Sequence, residues 1–478
     1  MSINFMAILP EILILLIGIL VLVFDPFFKD ENRRVGLGWL TAGGLTATLV
    51  ISLLFGQPGA PASAWGGMVR FDWMSYAFKM FFLFASAITA LFFMDLERLG
   101  SRAESYVLLL ASTIGMSLMA SASDLVMLYL AIETTSIPMY VLSGFMLDDK
   151  KSTEAGFKYL LFGAMTSAVF LYGLSLVFGF AGSTSFDVVA LKFTTVNAVS
   201  AGVLFLVLVG LGFKISLAPF HFWAPDTYEG APSPVAGILS TASKAAGFAV
   251  LLRLLVTAFP QLAAEWQMTL AILAAITMTL GNLVALAQKN IKRLLAYSSI
   301  AHAGYALIGL VANNELGINS VIFYLVAYIL TNLAAFGIIT AFGRVTGSDE
   351  VRAYDGMSRR SPYLALAMLI AFLSLAGMPP FGGFIAKALV FAAAVQAGWY
   401  WLVFVGILNS IVGVYYYLTV LKYVYLYRME GENEESYPIP LSRPYLVALA
   451  VLSVGIILIG SFFGPWFDLT AKAAMSLF

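Results

Sequence analysis

An all-α, polytopic membrane fold is what this sequence predicts, on three observations. Of 478 residues, 61% are hydrophobic and 11% charged, with mean hydropathy +0.92; a soluble domain has about 45–50% apolar and about 25% charged residues. Apolar runs of bilayer length recur along the whole chain, joined by short loops. The basic residues are sorted by loop: odd-numbered loops hold sixteen of the 26 Lys and Arg, while even-numbered loops and the termini hold three, Arg70, Lys192 and Lys472. That is a positive-inside pattern, which a miscounted span midway would scramble. Both termini are therefore expected on the non-cytoplasmic side.

Fourteen spans are expected, at 5–24, 35–55, 73–94, 105–121, 125–147, 156–180, 199–222, 232–258, 267–287, 293–312, 317–342, 362–396, 400–427 and 442–466. The first has no basic segment before it and no small-residue cleavage site before "DPFFKDENRR", so it is expected to be a helix rather than a signal peptide. The fourth and fifth are joined only by "SASD", and the twelfth is unusually long. "SLAPFHF" at 216–222 in the seventh span echoes "SLAGMPPFGGF" at 374–384 in the twelfth. The two copies are five spans apart, an odd step, so they run in opposite directions. That is the mark of inverted repeats with broken helices around a midplane site. The expected units are two inverted five-helix repeats, spans 4–8 and 9–13, with discontinuous helices 7 and 12. The chain then divides into 1–104, 105–258, 259–428 and 429–478.

Cysteine is absent and histidine occurs twice. This excludes Cys-ligated iron–sulfur clusters, Cys-rich zinc sites and c-type haem attachment. His221 and His302 would suffice for one b-type haem, but both sit in segments with other readings. Electron transfer and a resident cofactor or metal are therefore not expected.

Seven basic residues fall inside the spans: Lys79, Lys158, Lys214, Lys244, Arg253, Lys387 and Lys422. A charge at the bilayer centre costs about 2.5–3.5 kcal/mol on insertion scales and usually faces a bundle interior. Lys79, Arg253 and Lys422 are near span ends, where long stems reach the interface, so snorkelling is expected of them. Lys214, Lys244 and Lys387 are deeper and lie beside breaks or small residues: Pro219 for Lys214, Pro379 and Pro380 for Lys387, Ser240 and Gly247 for Lys244. A mid-span proline removes a backbone hydrogen bond and kinks the helix. Freed carbonyls are tolerated only where they line a cavity or meet protein. A lysine at such a break therefore suggests a hydrated, switchable proton site.

Glu133, five residues before Pro138, is the clear acidic partner at depth. A carboxylate near a lysine favours its charged form, and withdrawing it favours the neutral one, so a small movement would switch proton uptake and release. Lys158 has Glu154 as its i−4 neighbour, and a helix-end pair is plausible. Ser298, His302 and Tyr305 share one face of the tenth span, and Tyr324, Tyr328 and Asn332 one face of the eleventh. Together they are candidates to line a proton path, with His302 as a relay. His221, near "WAPDTYEGAP", reads as loop structure, and Glu11 as a structural or partner-contact residue.

"FKISLAPFHFWAPDTYEGAPSPV", "STASKAAGF" and "NIKRLLAYSSIAHAGY" closely resemble the antiporter-like membrane subunits of respiratory complex I, a family shared with multisubunit cation/proton antiporters. The resemblance covers nearly the whole chain. Its pattern is that of the N-type branch: fourteen spans, the opening "LPEILILLIGILVLVFD", Lys387 where the M-type branch has a glutamate, and no extension like the lateral helix of the L-type branch. The resemblance implies proton pumping through Glu133, Lys214, Lys244 and Lys387, and Lys158 matches a lysine of this branch. Where other branches have a histidine in the eleventh span, this chain has tyrosines, so their relay does not carry over directly. The resemblance further implies a bacterial inner-membrane complex, NADH–quinone oxidoreductase, in which other subunits hold NADH, FMN, iron–sulfur clusters and quinone. This chain would lie between M-like and K-like membrane subunits, among lipids, moving protons and binding no nucleic acid. A subunit of a multisubunit Na+/H+ antiporter of the same fold is the alternative.

Overall fold

The computed structural model describes residues 4–28, 30–194, 197–427 and 439–478. Lys29, Arg428 and the expected loop at 429–438 lie outside the described residues. The described residues are mostly helical, with one antiparallel hairpin among them, Ala62–Ala64 with Val69–Phe71, between the second and third spans.

The principal helices are α1 (Leu9–Phe24), α2 (Asp30–Phe55), α3 (Trp73–Phe93), α4 (Ala103–Ser121), α5 (Leu125–Ser143), α6 (Lys150–Ala181), α7 (Ala198–Ile215), α8 (Trp223–Gly230), α9 (Ser233–Ala258), α10 (Ala263–Ala285), α11 (Ile291–Ala312), α12 (Glu315–Thr346), α13 (Pro362–Ala376), α14 (Gly382–Gln396), α15 (Tyr400–Tyr425), α16 (Arg443–Ser461) and α17 (Gly464–Met475). Thirteen helical segments among the described residues are long and apolar enough to cross a membrane. The expected twelfth span is discontinuous, two shorter apolar helices, α13 and α14. Local chemistry sets the boundaries. Asp124, in "SASD", ends the α4–α5 connection by accepting from the backbone N–H groups of Val126 and Met127 (2.8 and 3.3 Å). Asn290 does the same for Lys292 and Arg293 at the start of α11.

Helices α9, α11 and α12 form the interior, while α1, α2 and α6 keep wide apolar faces outward. An all-round buried helix carries few charges, so Lys244 on α9 and His302 on α11 are conspicuous there.

Both expected helix breaks are present. Helix α7 stops at Ile215 because Ser216 turns left-handed (φ 59°). Helix α13 stops at Ala376 because Gly377 does so (φ 82°). A proline stands three residues after each of these, Pro219 and Pro380, and the Ala218–Pro219 and Pro379–Pro380 bonds are cis. The freed backbone groups are satisfied locally, as a non-aqueous surrounding demands. Leu217 N–H returns to Gly212 O (2.8 Å), Trp223 Nε1 donates to Phe213 O (3.1 Å), and Met378 N–H returns to Leu373 O (3.0 Å).

Three expectations need correction. The seventh span does not end at 222 in a loop: "WAPDTYEG" is the second half-helix, α8. Pro225 sits in its first turn, where no backbone donor is lost, and its polar residues are spent on ion pairs. Lys79 does not snorkel; it is buried, with Nζ 2.8 Å from Glu11 Oε1 and 2.7 Å from Ala7 O. Arg253 is also buried, bidentate on Asp72 (2.8 and 2.9 Å) and donating to Ala120 O. In each case a partner from another helix arrives at the charged end, so staying inside becomes favourable. Lys422 is exposed beside Tyr427, as expected.

Candidate functional site

Most of the predicted site residues are buried inside the bundle, and groups from several helices meet them. On α5, half-buried Glu133 accepts a hydrogen bond from Ser167 of α6. One turn later, Ser136 accepts from Nζ of Lys214, the next-to-last residue of α7 (2.9 Å). Lys214 thus meets a hydroxyl of the glutamate's own helix, and no Lys214–Glu133 ion pair closes within 4 Å among the described residues. The lysine stem packs on α9 at Gly247. A Cβ there would stand 3.1 Å from Lys214 Cγ and 2.8 Å from Ile215 Cγ2, so glycine permits this close crossing.

Lys244 is one turn before Gly247 and immediately follows a π-helical turn, Leu239–Ser243. Such turns insert a residue into the α-helix and often mark functional positions. Here the turn also carries Ser240, whose Oγ accepts from Asn332 Nδ2 of α12 (2.7 Å). Lys244 Nζ donates to Ser299 Oγ of α11 (2.5 Å) and lies 5.9 Å from the centre of the Tyr228 ring of α8. The Tyr228 and Tyr328 hydroxyls are buried without a hydrogen-bond partner among the described residues.

His302 follows on α11. Its Nδ1 is 2.6 Å from the Tyr324 hydroxyl and its Nε2 is 3.2 Å from the Tyr417 hydroxyl, which also contacts Ser298 Oγ. The ring lies tilted against Tyr328 (5.0 Å) and meets the edge of Tyr305 (5.8 Å). Ser298, Tyr417, His302 and Tyr324 therefore form an unbroken hydrogen-bonded chain, each member able to accept and donate. Tyr305 leads onward: Asn282 Nδ2 donates to its hydroxyl (3.1 Å), and its ring lies beneath Lys387 Nζ (5.0 Å). Lys387, on α14, reaches back across the break to the last carbonyls of α13, Leu375 O (3.1 Å) and Ala376 O (3.0 Å). It also donates to Ser410 Oγ of α15 (3.1 Å). The ammonium therefore caps the negative end of a half-helix.

Lys158 lies apart from this row, at the end of the bundle bearing many of the basic loops. It pairs with Glu154, as its spacing suggested, and with Asp226 of α8 (both 2.6 Å). Asp226 also pairs with Arg293 (2.6 Å), Arg293 with Glu229 (3.0 Å) and Glu229 with Lys151 (2.9 Å). Lys151, Glu154, Asp226, Glu229 and Arg293 line a cavity of about 140 Å³. Burial pushes the Asp226 carboxyl up, but hydrogen bonds and charge from Lys158 and Arg293 outweigh it and hold the group below its ordinary range. Glu229 is held low likewise, by Lys151 and Arg293 against burial.

His221 is buried in the break itself rather than in a surface loop, with Nδ1 lacking a partner among the described residues. The sequence reading missed Ser136, Ser299, Ser410, Tyr417, Asn282, Asp226 and Glu229. Ser298 joins the His302 network through Tyr417, as its shared face suggested, whereas its neighbour Ser299, the partner of Lys244, was not singled out. Ser410 and Tyr417 are seven apart on α15, a one-face spacing that was legible.

The profile of the family described as "NADH:quinone oxidoreductase/Mrp antiporter, TM" matches residues 122–413. NADH-quinone oxidoreductase subunit N of Heliobacterium modesticaldum is 41% identical over 480 residues, covering 99% of this chain and 100% of that protein. A chain of respiratory complex I from Thermus thermophilus, solved with bound aureothin, is 34% identical with TM-score 0.82, covering 97% of this chain and 99% of that one. A chain of the Mrp complex from Dietzia sp. DQ12-45-1b shares the fold, with TM-score 0.87 at 19% identity, covering 99% and 98%. A full-length relative at this identity and a profile spanning both broken helices agree with the geometry: the chain is a multi-pass membrane protein of the NADH:quinone oxidoreductase/Mrp antiporter family.

Proposed function

We propose that this chain is a proton-translocating membrane subunit of an NADH–quinone oxidoreductase, moving protons through Glu133, Lys214, Lys244, His302 and Lys387 while redox chemistry in partner subunits drives it. One observation carries the reading. Three buried lysines each meet a serine hydroxyl, and between Lys244 and Lys387 lie His302 and its hydrogen-bonded hydroxyl chain. Hydroxyl chains and imidazole pass protons without moving heavy atoms far. Lys158 fits a role at the entrance, where an exchangeable ion-pair cluster meets the basic-loop end. Ser298, Tyr305, Tyr324, Tyr328 and Asn332 are assigned to the path wall.

The matching spelling of the two breaks, a left-handed residue followed at the third position by proline, supports inverted repeats over 105–258 and 259–428, flanked by 1–104 and 429–478. The loop asymmetry supports both termini on the non-cytoplasmic side of a bacterial inner membrane. M-like and K-like subunits are the proposed neighbours. NADH, FMN, iron–sulfur clusters and quinone are assigned to partners.

The test is Lys214→Ala and Lys244→Ala in the assembled complex, reconstituted in vesicles with a pH-sensitive dye. Each is expected to lower proton uptake per NADH oxidised. Undiminished pumping in a fully assembled complex would sink the reading. The Na+/H+ antiporter alternative is favoured if the chain purifies without flavin or iron–sulfur partners and a sodium gradient alone drives proton movement.

A further inference from the structure

A groove opens between the N-terminal helices and the rest of the bundle, away from the proton path. Its walls come from α2, α3, the middle of α12, α16 and α17, and its volume is about 710 Å³, within the range of about 300–1,000 Å³ usual for ligand sites. On α3 the lining runs from Trp73 to Phe84, eleven residues and so about 16 Å along the axis. That is half of the hydrocarbon thickness of about 30 Å. The groove is therefore one leaflet deep, ending near Leu330 at the middle of α12. Its deep end is apolar. Its mouth, level with the start of α3 and the end of α2, holds Trp73, Trp466 and Gln57. The one charged residue of the lining is there too: Lys472 of α17, exposed, with Nζ 5.5 Å from the Trp73 ring centre.

We propose that this groove holds an acyl chain of one anionic phospholipid, with its phosphate on Lys472. A transmembrane helix from another subunit needs a groove two leaflets deep, and this one closes halfway. Apolar walls alone select nothing, because lipid tails are as apolar as the side chains they meet. Preference has to come from the head group, and a single cation at the interface, flanked by interfacial tryptophans, selects a negative one. This site is independent of the proton path.

The test uses the intact complex in vesicles carrying phosphatidylglycerol or phosphatidylcholine with a photoactivatable diazirine on the acyl chain, followed by mass-spectrometric mapping of labelled peptides. Phosphatidylglycerol is expected to label α3 and α16 several-fold more than phosphatidylcholine. Lys472→Glu is expected to abolish that preference and Lys472→Arg to keep it. Val454→Trp, which fills the groove from an exposed wall position, is expected to lower labelling by both lipids. Equal labelling by the two lipids, a preference that survives Lys472→Glu, or crosslinks from the groove to another protein chain would overturn the proposal.

Discussion

Gly377 meets two requirements at once. Its φ of 82° turns the chain out of α13, and a Cβ there would stand 2.8 Å from Lys387 Cδ and 3.2 Å from Nζ. Alanine at this position strains the backbone by about 1–2 kcal/mol and pushes the lysine off its carbonyls. Gly377→Ala is expected to lower the thermal stability of the complex and its proton uptake together. Lys387→Met should leave Leu375 O and Ala376 O without their ammonium, a loss of about 1–3 kcal/mol, read as a lower denaturation midpoint. The Asp72–Arg253 pair is a structural counterpart. Asp72→Asn leaves a buried guanidinium unneutralised and is expected to cost about 3–5 kcal/mol. A similar loss from an Asp72→Asn/Arg253→Met double variant would show that the pair is not what matters.

The helix breaks were legible because proline and glycine carry their backbone restrictions with them. The π-helical turn before Lys244 was not, since "ILSTASKAAGF" has no residue that demands one; the turn lies where α9 packs against α3 and α12. Helix α8 was misread because Asp226, Thr227 and Glu229 look like loop residues until Lys158 and Arg293 arrive from other helices. The crossing of α9 over α7 depends on Gly247. Gly247→Val overpacks that contact by about 1–3 kcal/mol and should displace Lys214 from Ser136. The expected readout is reduced proton uptake in a complex that still assembles, and unchanged uptake would show that the crossing does not position Lys214.

Across the molecule, the ion-pair cluster of Lys158, Asp226, Arg293, Glu229 and Lys151 ties α6, α8 and α11 together at one end. Asp226 and Glu229 are held below the ordinary carboxylate range. The unfolded chain thus binds more protons than the folded one as pH falls through that range. Their contribution is complete above the ordinary values, about 3.9 and 4.3, and is lost as pH drops through the lowered ones. Melting temperature measured against pH is expected to fall on the acid side, and Arg293→Leu should move that fall to higher pH.

Composition and apolar run length were enough to make this chain a multi-pass membrane protein, because lipid demands apolar length, and Pro219 with the proline and glycine cluster at 377–383 was enough to locate the two breaks. Glu133, Lys214, Lys244, His302 and Lys387 were visible as charges or relays too deep for comfort. Their partners were not. Ser136 for Lys214, Ser299 for Lys244, Tyr417 for His302 and Ser410 for Lys387 all come from distant helices, and a hydroxyl has no sequence signal until packing aims it. Lys79 and Arg253 make the same point in reverse. Position near a helix end suggested the interface, and the arrival of Glu11 and Asp72 turned both inward. Whether a buried charge reaches water or a partner depends on which atoms stand at its far end, and only the tertiary structure brings those atoms there.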